Sequence, residues 1–246
     1  MAGCGLARIF HSPERILAFT TAIIVAALMM GCAVQKPVSL DSSFWEKKEA
    51  RVGIAVAEIP VPSAAVESSG GMSALAYASA QGIASDVTRR LEKEDFSRIY
   101  KVGGKLEDVF TAKGLKPKVI SGLIAIDQFP KRDGVTDGYA ERDFSALGAA
   151  AQAQYLLLVQ VQSIGTTRGY MGVLPTTSPS GYFAAVGQLI DLKTQKLLWH
   201  KGVSIRRPSR GEWDQPPDFA NLTAAVHQYV DSGIDMLVLD FSWSAK

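Results

Sequence analysis

Residues 155–164 (YLLLVQVQSI) constrain the fold more than any other stretch of the chain. The run begins wholly apolar and then alternates, with Gln160 and Gln162 opposite Val159 and Val161, as expected of a strand that leaves the core partway along its length. Residues 182–190 and 197–205 follow as a hairpin closed by DLKTQK (191–196). Such a turn normally places glycine at its left-handed position, and here Gln195 would occupy it at a cost of roughly 1 kcal/mol. Residues 218–239 then give a long helix with Phe219, Leu222, Val226, Tyr229, Val230 and Leu237 on one apolar stripe. The carboxyl-terminal third therefore specifies an antiparallel sheet with a helix packed on it.

The preceding part alternates between the two periodicities. Residues 51–59 (RVGIAVAEI) put Val52, Ile54 and Val56 on one face of a strand, which Pro60 and Pro62 end. Residues 63–71 read as a polar loop, whose Gly70-Gly71 either presents N–H groups to an anion or is simply flexible. Ser73 caps a helix to about residue 94, with Ile83, Val87 and Leu91 beside Ala76, Ala80 and Ala84. Residues 96–102 (FSRIYKV) read as a second strand broken by Gly103-Gly104, followed by a short helix over 105–113 that stops at Gly114. Residues 116–129 read as a strand bent at Gly122, residues 130–139 as a surface loop, and Asp143 as the cap of a helix to about residue 153. The element order predicts an α/β fold, helices packed on a mixed sheet with antiparallel carboxyl-terminal strands.

At the amino terminus, Arg8 and Arg15 precede the apolar run 16–31, which stops at Gly31-Cys32. A spanning helix needs about 20 apolar residues; this run is shorter and contains Thr20 and Thr21, so a cleaved export signal fits it best. The alternative is an uncleaved anchor helix, which also leaves the domain outside the cytoplasm. Residues 28–32 (LMMGC) resemble the lipobox of bacterial lipoproteins, with cleavage between Gly31 and Cys32 and lipid carried by Cys32. That resemblance implies a palmitate-bearing anchor, and Ala33 after the cysteine implies the outer membrane, with the domain facing the periplasm. The chain then divides into a signal peptide (1–31), a lipidated cysteine and tether (32–49) and one α/β domain (50–246). With Cys4 removed and Cys32 acylated, no disulfide forms within the chain, and stability rests on the core.

A second resemblance lies in the carboxyl-terminal third. Ala153-Gln154-Tyr155-Leu156-Leu157, followed by 187–192 (GQLIDL) and 194–199 (TQKLLW), is similar to a pattern of the CsgG-like curli-secretion lipoproteins, the LpoB-like activator lipoproteins and the amino-terminal domain of TolB. This chain departs from that pattern with Gln154 in place of Asp and Gln195 in place of Gly. The resemblance implies a fold and not a reaction, and it implies assembly, because CsgG-like relatives form rings.

Chemistry-bearing clusters are sparse. The chain carries 26 basic and 24 acidic residues, a balance that gives no footing for nucleic-acid binding. Beyond the signal only His200 and His227 remain, too few for a catalytic zinc site, and no metal or cofactor is expected. His200 could form a proton-transfer pair with Glu212 or Asp214, or be structural. His227 stands four residues before Asp231, a spacing that permits a helical ion pair, and Asp231 and Asp235 read as a solvated face. Arg206, Arg207 and Arg210 beside Trp213 could touch an anionic envelope polymer, or be a solvated loop. The stretch 166–180 (TTRGYMGVLPTTSPS) reads as a long loop with an apolar middle of Tyr170, Met171, Val173 and Leu174. It either packs back on its own sheet or inserts into a neighbouring protein, a second subunit or the membrane interface. These observations point to a non-enzymatic, membrane-anchored lipoprotein that binds or assembles envelope proteins. The alternative is a cell-wall-directed hydrolase or ligand-binding lipoprotein.

Overall fold

The computed structural model describes residues 35–68, 71, 73–172, 174–213, 215 and 218–243. The export run, Gly31 and Cys32 lie outside the described residues, as do Gly70, Val173 and Asp214. Seven strands form one mixed sheet: β1 (Arg51–Val56), β2 (Ser63–Ser68), β3 (Lys116–Val119), β4 (Tyr155–Met171), β5 (Leu174–Pro175), β6 (Ser180–Asp191) and β7 (Lys196–Pro208). Among the described residues four α-helices accompany them: α1 (Ala74–Leu91), α2 (Lys101–Ala112), α3 (Ser145–Ala151) and α4 (Ala220–Trp243). The α/β class and the antiparallel carboxyl-terminal strands are as the sequence predicts.

Strand order is β3-β1-β4-β6-β7, with β1 parallel to β3 and β4, and β4, β6 and β7 mutually antiparallel. The long strand β4 serves two partners along one edge. Its first half pairs with β1, from Val52 opposite Tyr155 to Val56 opposite Val159, and its second half pairs in parallel with β2, from Ser63 opposite Gly165 to Ser68 opposite Tyr170. The two halves also differ in cover. On one face Leu157, Val159, Val161 and Ile164 pack beneath α1, α2 and α4. On the other, Leu156 and Leu158 meet Ile124, Phe129 and Phe144, and this smaller layer stops before Gln160. Removal of that second cover is why polar residues enter the strand at Gln160.

Three segments depart from the sequence expectation. Residues 96–102 are not a strand: a 3-10 turn (Ser97–Tyr100) leads directly into α2, which runs through Gly103-Gly104. Ile99, Val102, Leu106 and Phe110 recur at helical spacing and are fully buried, a stripe that FSRIYKV alone conceals. Gly103 is there for close approach, since a Cβ on it would lie 3.2 Å from Val119 Cγ1. Residues 63–68 are strand β2 rather than loop; their side chains are only half-buried in alternation, so the apolar period is faint. Of residues 116–129 only the first four are strand, because Gly122 turns the chain at φ 85° and Ile124 and Phe129 fold beneath the sheet.

Residues Lys36–Lys246 form one compact unit. The segment expected to be a tether through residue 49 belongs to it. Val38 exchanges two 2.9 Å backbone hydrogen bonds with His200 on β7, and a 3-10 turn (Ser42–Glu46) drives Phe44 and Trp45 into the core. Phe44 meets the rings of Phe110 and Tyr155 edge-on, and Trp45 packs against Phe110 and Phe241. Two aromatic side chains of this size hold the segment down by several kcal/mol of apolar burial, about 1.5–3 each. Among the described residues no helix is long and apolar enough to cross a membrane.

Candidate functional site

The stretch 166–180 is a paired ribbon and not a loop. β4 runs on to Met171, the chain reverses at Gly172 (φ 60°), and β5 returns with Leu174 opposite Met171 and Pro175 opposite Tyr170. The N–H of Thr176 donates to the carbonyl of Gly169 at 2.9 Å, the N–H of Gly169 donates to Thr177 Oγ1 at 2.9 Å, and Arg168 Nε donates to the Thr177 carbonyl at 3.2 Å. Tyr170 shares a face with Thr166 and is buried like it, whereas Met171 falls on the face of Thr167, beyond the point where that face is covered. Met171 and Leu174 are left 58% and 62% exposed. Of the four residues singled out from the sequence, Tyr170 thus packs back, two stand in solvent, and Val173 lies outside the described residues.

The ribbon projects because β2 supports it. A Cβ on Gly165 would lie 1.8 Å from the Ser63 carbonyl oxygen, so only glycine lets the two strands join there. Ser68, the last residue of β2, stands opposite Tyr170, and the first turn of α1 bears Leu75, 83% exposed. Ser73 caps that helix as expected, its Oγ accepting from the N–H of Ala76 at 3.2 Å.

The arginines near Trp213 divide into different environments. Arg206 makes two hydrogen bonds to the Glu67 carboxylate, at 2.9 and 2.6 Å, and these hold that carboxyl below its usual range. Arg168 lies over the Trp213 ring at 4.4 Å and over Tyr170 at 5.6 Å. Arg207 and Arg210 are exposed. Beneath Trp213 and Tyr170 lies a cavity of about 30 Å³, walled by Ala64, Ala80, Ala84 and Thr167 among others. It has room for about two waters.

The histidines sit elsewhere. His200 is buried on β7 beneath the Lys36 and Val38 strap, and burial pushes its pKa down against the Lys36 backbone and the charges of Asp137 and Glu141. It does not meet Glu212. That residue lies beyond Pro208, which is about 26 Å along β7 from His200, and its carboxylate accepts from Gln215. His227 does not pair with Asp231 either: its Nε2 is 2.6 Å from Glu94 Oε2, and its ring stacks on Phe96 at 4.8 Å. Burial would raise the Glu94 pKa, but the His227 hydrogen bond and the Arg90 charge outweigh it and hold the carboxyl low. Asp231 and Asp235 are ion-pair partners rather than a bare face, bound to Arg98 at 2.9 Å and to Lys105 at 2.8 Å. Among the described residues no three of His, Cys, Asp and Glu stand close enough to share a metal ion.

No family model and no curated protein matches this chain. Solved structures similar to it include protein XCC0632 from Xanthomonas campestris, of the DUF330 family model, at 14% identity and a TM-score of 0.36, covering 83% of this chain and 89% of that one. Lipoprotein GNA1162 from Neisseria meningitidis is similar at 14% identity and a TM-score of 0.34, covering 74% and 99%. A PelC dodecamer from Paraburkholderia phytofirmans is similar at 10% identity and a TM-score of 0.34, covering 85% and 94%. Likenesses this remote carry neither a family nor a function to this chain.

Proposed function

We propose that this chain is a non-enzymatic lipoprotein of the outer membrane, fixed through an acylated Cys32, that serves as a binding or assembly component for other envelope proteins, further copies of itself included. The observation that carries this reading is the abrupt passage from export run to packed domain: the apolar residues end at Gly31-Cys32, and the compact unit begins at Lys36. Two or more acyl chains on Cys32 would hold the domain stably, because each buried CH₂ contributes about 0.8 kcal/mol. So short a link confines its partners to the membrane surface.

Exchange of Cys32→Ser tests the anchor. The variant should fold and leave the membrane fraction, and unchanged membrane association would refute the lipid attachment. Crosslinking in intact cells, followed by sizing of the detergent-solubilised protein, tests the binding role. Discrete adducts with envelope proteins or with further copies are expected; a strict monomer with no adduct would refute it.

A further inference from the structure

We infer that the domain stands on the bilayer at the end where β1, β3, β4 and β7 begin, with the lysines of that end against the phosphates of anionic lipids. The inference rests on the anchored reading above and names the face that the anchor presents to the membrane. Three observations converge on it.

The first is where the link to Cys32 meets the fold. Lys36 Nζ is 3.4 Å from Asp137 Oδ2. The next residue, Gly138, accepts the Leu197 N–H at 2.8 Å, and Tyr139 bridges Lys196, so Lys36 is tied beside the start of β7. Cys32 precedes it by four residues, which span at most about 14 Å. The bilayer that holds an acylated Cys32 is therefore near the β6–β7 turn, whereas Pro208 lies about 36 Å further along β7 than Leu197.

The second is charge. Lys116 stands opposite Arg51, Tyr155 opposite both Val52 and Asp191, and Asp191 opposite Lys196, so the residues around these positions share one end of the sheet. That end presents Lys47, Lys48, Arg51, Lys113, Lys193 and Lys196, none of them ion-paired among the described residues, against Asp41, Glu46 and Asp191. Lys116 and Glu49 pair with each other there, and the neighbouring loop 131–142 carries three charges of each sign. Each lysine close to an anionic leaflet strengthens its hold about fivefold.

The third is how these cations are held. Lys47 Nζ donates to Tyr155 Oη at 3.0 Å and Lys48 Nζ to the Lys113 carbonyl at 2.8 Å, so both are fixed at this end of the fold. Lys113 Nζ lies over the Trp45 ring at 4.3 Å, out of solvent and without a hydrogen-bond partner among the described residues. Burial, and then the neighbouring Lys48 charge, push its pKa down. A phosphate layer beneath this end offsets the repulsion among these lysines.

The test uses the full-length protein recovered from membranes and reconstituted into phosphatidylcholine vesicles, with or without about a quarter phosphatidylglycerol. Thr194→Cys, exposed in the β6–β7 turn, and Met171→Cys, exposed at the ribbon tip, are labelled in turn with a fluorophore. Lipids carrying a nitroxide on the headgroup serve as quencher. With phosphatidylglycerol present the label at 194 should be quenched and the label at 171 should not. Lys193→Gln together with Lys196→Gln should lower the ratio of quenched to unquenched label at 194 about 25-fold, and salt on the order of 1 M, which cuts the screening length to about 3 Å, should lower it likewise. A label at 194 quenched no better than the one at 171 refutes this stance, and equal quenching on neutral vesicles refutes the part given to anionic lipid; in either case the mass of an acylated Cys32 still upholds the anchor. Energy transfer between labels at 194 in detergent without lipid would assign this end to a second copy and overturn the inference. If Cys32 carries no lipid, the anchored reading falls, and the inference falls with it.

Discussion

Replacement of Gln195 by glycine tests how the β6–β7 turn is held. Gln195 sits at φ 60°, which costs a residue with a Cβ roughly 1–2 kcal/mol that glycine would not incur. A turn-propensity argument alone therefore expects Gln195→Gly to stabilise. The side chain, however, is buried and fully used. Its Nε2 donates to Ser145 Oγ at 3.0 Å and to the Leu192 carbonyl at 2.9 Å, and its Oε1 accepts from the buried N–H of Phe144 at 3.4 Å. Two hydrogen bonds at about 1 kcal/mol each, together with a further 1–2 kcal/mol for a buried N–H left without a partner, exceed the strain relieved. The net expectation is a loss of about 1–3 kcal/mol, or a fall in Tm of about 2–12 °C for a domain of this size. Urea unfolding of Gln195→Gly, Ser145→Ala and the double variant measures it, and the two sites should couple because they share a hydrogen bond. A Gln195→Gly protein at least as stable as the parent would refute the reasoning and show that backbone strain governs the turn.

Trp45→Ala should cost about 3–5 kcal/mol in urea unfolding, whereas a residue in a loose tether would change stability by no more than about 0.5 kcal/mol. Gly165→Ala places a methyl group against the Ser63 carbonyl and should cost about 1–3 kcal/mol; hydrogen exchange should accelerate in β2 before it does in β6. His200 has its pKa depressed in the folded state, so the unfolded chain binds the proton more readily and stability falls as the pH drops through about 6.5. The urea midpoint should therefore decline between pH 7.5 and 5.5, and His200→Gln should remove a measurable part of that decline. Equal slopes for parent and variant would show that His200 is not a source of it.

How far the fold was legible varies with the source of the signal. Tyr155 to Ile164 announced both the strand and the point at which its second cover ends, because burial on one face or two writes itself directly into the alternation. The β6–β7 hairpin and the strained Gln195 were legible for the same reason: a turn of fixed length leaves few positions for a left-handed residue. What compensates Gln195 was not legible, since Ser145 and Phe144 lie some fifty positions away. β2 was missed because its stabilisation comes from β4 and from the Cβ-free approach at Gly165, while its own side chains carry little apolar period. A glycine between Ile164 and Thr166 was the available sign at Gly165, and glycine inside a strand commonly marks such an approach. At the candidate site, the apolar middle of 166–180 was legible from composition, but its division into inward Tyr170 and outward Met171 and Leu174 depends on pairing with β5.

The amino-terminal strap ties these features to the proposed anchorage. A long flexible tether would let the domain sample many orientations, so that no particular face would be presented to the membrane or away from it. Here the pairing of Val38 with His200 fixes the direction of the chain, and Phe44 and Trp45 make its release costly, since the strap cannot lift without opening the core around Phe110 and Phe241. The strap is thus part of the folded domain, and breaking its one backbone bridge should be felt locally before it is felt in the core. In a protein with Val38 replaced by proline, which cannot donate to His200, hydrogen exchange should accelerate at the His200 N–H, which donates to the Val38 carbonyl, while the amides of β6 keep their protection. Unchanged protection at His200 would show that Phe44 and Trp45 alone hold the strap in place.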